Sequence, residues 1–265
     1  MRQLLIALLL VLSAPSLAAE RVSVPSADGT RLDALLFRPD GTGPFPAVVL
    51  LHGCAGRDDR HGRMMPRDAD WARRLASAGY LVVAPDSFGS RGLGQQCTVR
   101  ERRIAPGRER RADALGARVW LAARPDVSPG AIALMGFSNG GSTVLAAADA
   151  AGFAAFVSLY PGCSPILRRP GWRPAAPLLL LIGEADDWTP AAPCAALAAA
   201  HPAIAYHAYP GAHHGFDAPN SRLRVLEGRA FSADGSGRVH IGTDPAARAD
   251  ALARVPAFLA AHLPR

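Results

Sequence analysis

The chain has 265 residues, 49% of them hydrophobic, which is enough to bury a large core in one α/β domain. It carries 29 basic residues, every one an arginine, against 22 acidic ones, for a net charge of +7. The arginines are spread along the chain with no aromatic interleaving and no nucleic-acid motif, so no nucleic-acid partner is expected.

The chain opens with Arg2, an apolar run from Leu4 to Leu12 and a small-x-small site at Ser16-Leu17-Ala18. Those features predict a secretory signal peptide over residues 1–18, too short for a comfortable membrane span, and a periplasmic or secreted mature chain. Four cysteines remain, Cys54, Cys97, Cys163 and Cys194. An even count in an exported chain reads as two disulfides, and the absence of a CxxC pair argues against a zinc or redox motif. No metal or cofactor is expected.

Residues 22–24 and 32–37 read as two strands joined by the Asp28-Gly29 turn. Residues 47–51 form an all-apolar run, as a strand buried on both faces requires, and end in His52-Gly53-Cys54. His52 is assigned to holding that loop. A helix over 70–78 and a strand over 81–84 follow, then a long loop through Phe88 and Arg91 to Cys97. Arg100, Arg102, Arg103, Arg108, Arg110 and Arg111 read as a solvated helix face, with attraction to anionic substrates second. Residues 108–123 have helical periodicity.

The segment 131–147 is the most informative. An apolar run ends in Gly136-Phe137-Ser138-Asn139-Gly140-Gly141, and an alanine-rich helical stretch follows. A serine on a sharp strand-to-helix turn needs small neighbours, because the two backbones nearly touch there. Further strands are predicted over 154–159, 178–182 and 203–209, with a helix starting near Thr189 and a closing helix over 245–263. Strands alternating with helices imply a mostly parallel sheet covered on both faces. Cys54 and Cys97 lie in loops leaving the same sheet edge, and the helix starting near Thr189 carries Cys194 one strand along from Cys163 on that edge, which suggests the pairings Cys54–Cys97 and Cys163–Cys194.

The same edge collects Ser138, the Asp186-Asp187 pair and the His213-His214 pair. Active sites of open parallel sheets gather there, and Ser…Asp…His is the chain order of one hydrolase class. Serine needs a base to take its proton, histidine titrates in the right range, and a carboxylate fixes the imidazole tautomer. Loop geometry after Gly183 favours Asp186 over Asp187, and the small Gly215 favours His214 over His213. The backbone N–H groups of Cys54 and Asn139 are candidates for an oxyanion hole.

With these residues in place, the chain resembles the dienelactone hydrolase family of α/β hydrolases. The resemblance rests on Leu51-His52-Gly53-Cys54, Pro85-Asp86, Gly136 to Gly141, Gly183-Glu184-Ala185-Asp186, the stretch from Tyr209 to Phe216, and Phe258-Leu259. It implies an α/β-hydrolase domain over 19–265 and supports Asp186 and His214. The family's nucleophile is a cysteine where this chain has Ser138, and its partner glutamate is missing from Cys54-Ala55-Gly56. Of the two arginines with which the family holds a substrate carboxylate, Arg91 matches one. Phe88 and Trp188 are further candidates for lining a pocket. The expected function is hydrolysis of a small carboxylic ester or lactone; a peptidase and a non-catalytic binding protein on the same fold are the alternatives.

Overall fold

The computed structural model describes residues 19–263; the expected signal peptide lies outside them. Eight strands form one sheet: β1 (Glu20–Pro25), β2 (Arg31–Phe37), β3 (Phe45–Leu51), β4 (Leu81–Pro85), β5 (Val127–Phe137), β6 (Ala155–Leu159), β7 (Leu178–Gly183) and β8 (Ile204–Tyr209). Their order is β1-β2-β4-β3-β5-β6-β7-β8. The β1–β2 and β2–β4 pairs are antiparallel, and every later pair is parallel. Parallel neighbours need long crossovers, here made by α1 (Pro66–Ser77), α2 (Glu109–Ala122), α3 (Asn139–Ala147), the short α4 (Ser164–Leu167) and α5 (Ala191–Ala200), while α6 (Pro245–His262) follows the last strand. Helices on both faces explain why the central strands are apolar without alternation. Every residue of β4, β6 and β7 is buried.

Register decides where function can sit. Leu51 pairs with Gly136, Gly136 with Ser158, Leu159 with Leu181, and Gly183 with Tyr209. The carboxyl ends of β3, β5, β6, β7 and β8 are therefore level, and the loops that follow them open on one rim. Disulfides join Cys54 to Cys97 and Cys163 to Cys194 on that rim.

Three features differ from the sequence reading. Helix α1 begins at Pro66 rather than residue 70, because Pro66 occupies the first helical turn, where a missing N–H costs nothing. The stretch after β8 contains a two-stranded antiparallel ribbon, β9 (Arg224–Leu226) and β10 (Val239–Ile241). The arginine cluster is not a uniformly solvated face: Arg100, Arg103 and Arg108 are exposed, but Arg110 is wholly buried. No helix among the described residues is long and apolar enough to cross a membrane.

Candidate active site

The turn between β5 and α3 holds Ser138 at φ 53°, a left-handed conformation that side chains rarely adopt. The strain survives because the neighbours over-determine it. A Cβ on Gly136 would lie 2.5 Å from the Gly140 carbonyl, and one on Gly140 would strike the Leu51 carbonyl oxygen. Only glycine fits at either place, so strand, turn and helix lock together with Ser138 at the apex.

His214, in the loop after β8, brings its Nε2 to 2.9 Å from the Ser138 hydroxyl. Its Nδ1 lies 2.8 Å from Oδ2 of Asp186, in the loop after β7. Asp186 is held in turn: Oδ1 accepts the backbone N–H groups of Trp188 and Thr189, and Oδ2 accepts the Thr189 hydroxyl. The imidazole is also framed by rings, with Tyr160 edge-on at 4.7 Å and Trp188 at 4.8 Å. All three relay residues are buried. Asp187 turns elsewhere and pairs with His240 of β10.

The floor of the site is built from groups with no exposure. His52 accepts the Ser87 N–H at Nε2, and its Nδ1 lies 2.8 Å from the Gly53 carbonyl. Burial, and then the positive charge of Arg110, hold its pKa well below the usual histidine range, so the ring is neutral and ties the loop after β3. Arg110 donates to the His52 carbonyl at 2.8 Å and to the Asn139 side-chain oxygen at 2.5 Å. It thereby braces both backbone segments flanking Ser138. Burial pulls its pKa down to about 10. Among the described residues, the N–H groups of Cys54 and Asn139 have no protein acceptor; Asn139 opens α3, where N–H groups are orphaned by geometry.

A second buried network stands behind the imidazole. Asp217 accepts the Tyr160 hydroxyl at 2.6 Å and the Trp71 indole N–H at 2.7 Å. Arg67 donates to the same hydroxyl and lies over the Phe137 ring. Burial, with Asp217 nearby, raises the Tyr160 pKa well above its normal value and keeps it a hydrogen-bond donor.

Two cavities flank Ser138, of about 530 and 490 Å³, and share Cys54, Ser138 and Trp188 as walls. The first is mainly apolar, with Pro165, Ile166, Pro193 and Phe231. The second contains His214 together with Arg67, Arg222, Arg224 and Arg229. Of the candidate substrate contacts, only Trp188 reaches a cavity. Arg91 is committed to Asp113 through two hydrogen bonds and to Asp28 through a third. Phe88 is core, packed edge-on against His52 under the Arg110 guanidinium. Neither lines the cleft, because the loop after β4 folds back towards β2 and α2.

The model of the dienelactone hydrolase family matches residues 32–263, almost the whole described chain. The chain belongs to that family. It is a hydrolase with the family's mostly parallel α/β sheet. Dienelactone hydrolase from Anabaena variabilis superposes with a TM-score of 0.63 at 21% identity, over 93% of this chain and 99% of that one. The dienelactone hydrolase-like promiscuous phosphotriesterase P91, from metagenomic libraries, gives 0.66 at 21%, with the same coverage of both chains. Porphyromonas gingivalis dipeptidyl peptidase 4 gives 0.63 at 19% identity, over 92% of this chain but 35% of its own. At these identities the likeness is one of fold. The fragment YghX of Escherichia coli (strain K12) is 36% identical over 80 residues, and the match spans 62% of its length and 29% of this chain.

Sequence reasoning missed Tyr160, Thr189, Arg67 and Asp217. Tyr160 and Thr189 could have been suspected, since each sits just past a buried strand in a rim loop. Nothing local marked Arg67 or Asp217, whose meeting depends on how α1 packs.

Proposed function

We propose that this family member is a serine hydrolase that cleaves small carboxylic esters or lactones through an acyl-enzyme. The observation that carries the reading is the unbroken relay from the Ser138 hydroxyl through His214 to Asp186, at 2.9 and 2.8 Å. Ser138 Oγ attacks the substrate carbonyl while His214 Nε2 takes its proton, and Asp186 stabilises the imidazolium. The N–H groups of Cys54 and Asn139 receive the developing oxyanion, each such donor lowering the barrier by about 3 kcal/mol. His214 returns the proton to the leaving alkoxide. Water then attacks the acyl-serine, with His214 again as base, and releases the acid and free Ser138.

The two disulfides suit an oxidising compartment. Together with the apolar leader-like start, they support a periplasmic or secreted site of action.

Ser138→Ala is expected to lower p-nitrophenyl ester turnover by about ten-thousandfold or more and to abolish labelling by a fluorophosphonate, with circular dichroism unchanged. Undiminished turnover by that variant would refute the assignment. Fold neighbours that include peptidases supply a second reading. Aminoacyl anilides assayed beside p-nitrophenyl esters separate the two, and faster anilide cleavage would favour the peptidase.

A further inference from the structure

The residues next to the relay make a second cluster. Asp187 follows Asp186, His213 precedes His214, and His240 precedes Ile241, which bridges to His214. One side-chain ligand atom from each of Asp187, His213 and His240 lies within 4.8 Å of the others. Asp187 is fixed by its surroundings. Oδ1 accepts the His240 backbone N–H at 2.8 Å, Oδ2 lies 2.7 Å from His240 Nδ1, and the Asp187 carbonyl accepts the Ala233 N–H.

Hydrogen bonding accounts for Asp187 and His240 but leaves His213 unexplained. Its ring packs on that of His240, with centroids 4.9 Å apart and planes tilted by 31°. Its Nδ1 is buried and has no hydrogen-bond partner among the described residues.

We propose that Asp187, His213 and His240 bind one divalent cation of the zinc class. Two imidazole nitrogens and one carboxylate oxygen form a donor set suited to Zn2+, with a fourth position for water. Ligand distances of about 2.0–2.2 Å require the three donor atoms to close to roughly 3.5 Å apart. Side chains that are 37% exposed at Asp187 and 43% exposed at His240 have room for that movement and give the ion a path from solvent. A cation taken by His240 Nδ1 replaces the hydrogen on the nitrogen that faces Asp187, and the neutral ring then carries its proton on Nε2.

The three ligands come from the loop after β7, the loop after β8 and β10. The cation therefore ties together the two loops that carry Asp186 and His214 and the ribbon beside them. Because the ligands lie on three separate segments, no sequence motif announces them. The site does not depend on the hydrolase reading, since its test needs no turnover.

The tag-free mature chain, stripped with a chelator, is titrated with Zn2+ by calorimetry and with Co2+ by visible absorption. One Zn2+ per chain is expected, with a Kd below about 10 µM, and Co2+ should give the intense bands of a four- or five-coordinate ion. His213→Ala and His240→Ala should each weaken Zn2+ binding at least tenfold and remove the Co2+ bands. If either alanine variant fails to fold, the glutamine replacement at that position serves in its place. Absence of saturable Zn2+ binding, equal affinity in wild type and variants, or only the weak spectrum of hydrated Co2+ would each overturn the proposal.

Discussion

Arg110 joins the carbonyl of His52 to the side chain of Asn139, one peptide unit or less from each proposed oxyanion donor. With its pKa pulled to about 10 by burial, the guanidinium costs the folded state about 3 kcal/mol at neutral pH. Its two acceptors would cost a comparable amount if left bare, about 1–3 kcal/mol each. The two effects nearly cancel, so Arg110→Met should change unfolding free energy in urea by less than about 2 kcal/mol. Turnover should fall at least tenfold, because the segments on either side of Ser138 lose their brace; full turnover would show that the bridge has no role in positioning.

His52 makes a pH prediction of definite sign. The folded protein keeps this ring neutral, whereas the unfolded chain takes up a proton below about pH 6.5. Stability therefore falls as pH drops below that value, with this residue adding a slope of about 1.4 kcal/mol per pH unit. His52→Gln should flatten the fall in urea midpoint between neutral and mildly acidic pH; an unchanged slope would contradict a neutral His52. At this scale legibility was uneven. Ser138 was readable because its turn demands glycines at Gly136 and Gly140. Arg110 was not, since a guanidinium's burial depends on contacts from distant segments that one stretch of sequence does not reveal.

The strands were legible to within a few residues because burial on both faces forces an uninterrupted apolar run, as at Val48 to Leu51 and Leu178 to Ile182. The start of α1 was less so, although Pro66 marked it. The β9–β10 ribbon was hidden for a physical reason: three-residue strands with the half-exposed Val225 have no hydrophobic pattern of their own. The ribbon is held by tertiary contacts, Val239 and Leu226 packing with Trp188 and the Cys54–Cys97 disulfide.

The two disulfides make an element-scale contrast. They close spans of 43 and 31 residues, so removing either by paired Cys→Ser replacement should cost about 3–4 kcal/mol in the chain-entropy model. Their effects on rate should differ. Cys54 carries a proposed oxyanion N–H, and its bridge to Cys97 fixes that loop against the segment where Ala230 bonds to the Cys97 carbonyl. Replacing Cys54 and Cys97 should depress kcat at least tenfold, while replacing Cys163 and Cys194 should mainly lower Tm. Equal kcat losses in the two double variants would remove the special role of the first bridge.

Across the whole molecule, the surplus of positive charge is not evenly neutralised. Several arginines outside the cleft are paired, such as Arg91 with Asp113 and Arg124 with Asp126. Arg222, Arg224 and Arg229 have no carboxylate partner among the described residues, and all three line the cavity that contains Ser138 and His214. The opposite cavity has a more apolar wall but also takes Arg102 and Arg168, which likewise have no carboxylate partner among the described residues. With arginines on both sides of Ser138, the cleft favours a substrate that bears an anionic portion. Exposed guanidinium groups act through a screened field, so the preference should weaken with salt. For an aryl ester bearing a carboxylate, kcat/KM should fall several-fold between low salt and about 0.5 M salt, while a neutral ester of the same shape changes little. The fall should appear in KM rather than kcat, because attraction outside the reacting centre binds ground state and transition state alike. Arg222→Ala combined with Arg224→Ala should reproduce the high-salt KM at low salt. A carboxylated ester insensitive to both salt and these replacements would show that the unpaired arginines face solvent without serving the substrate.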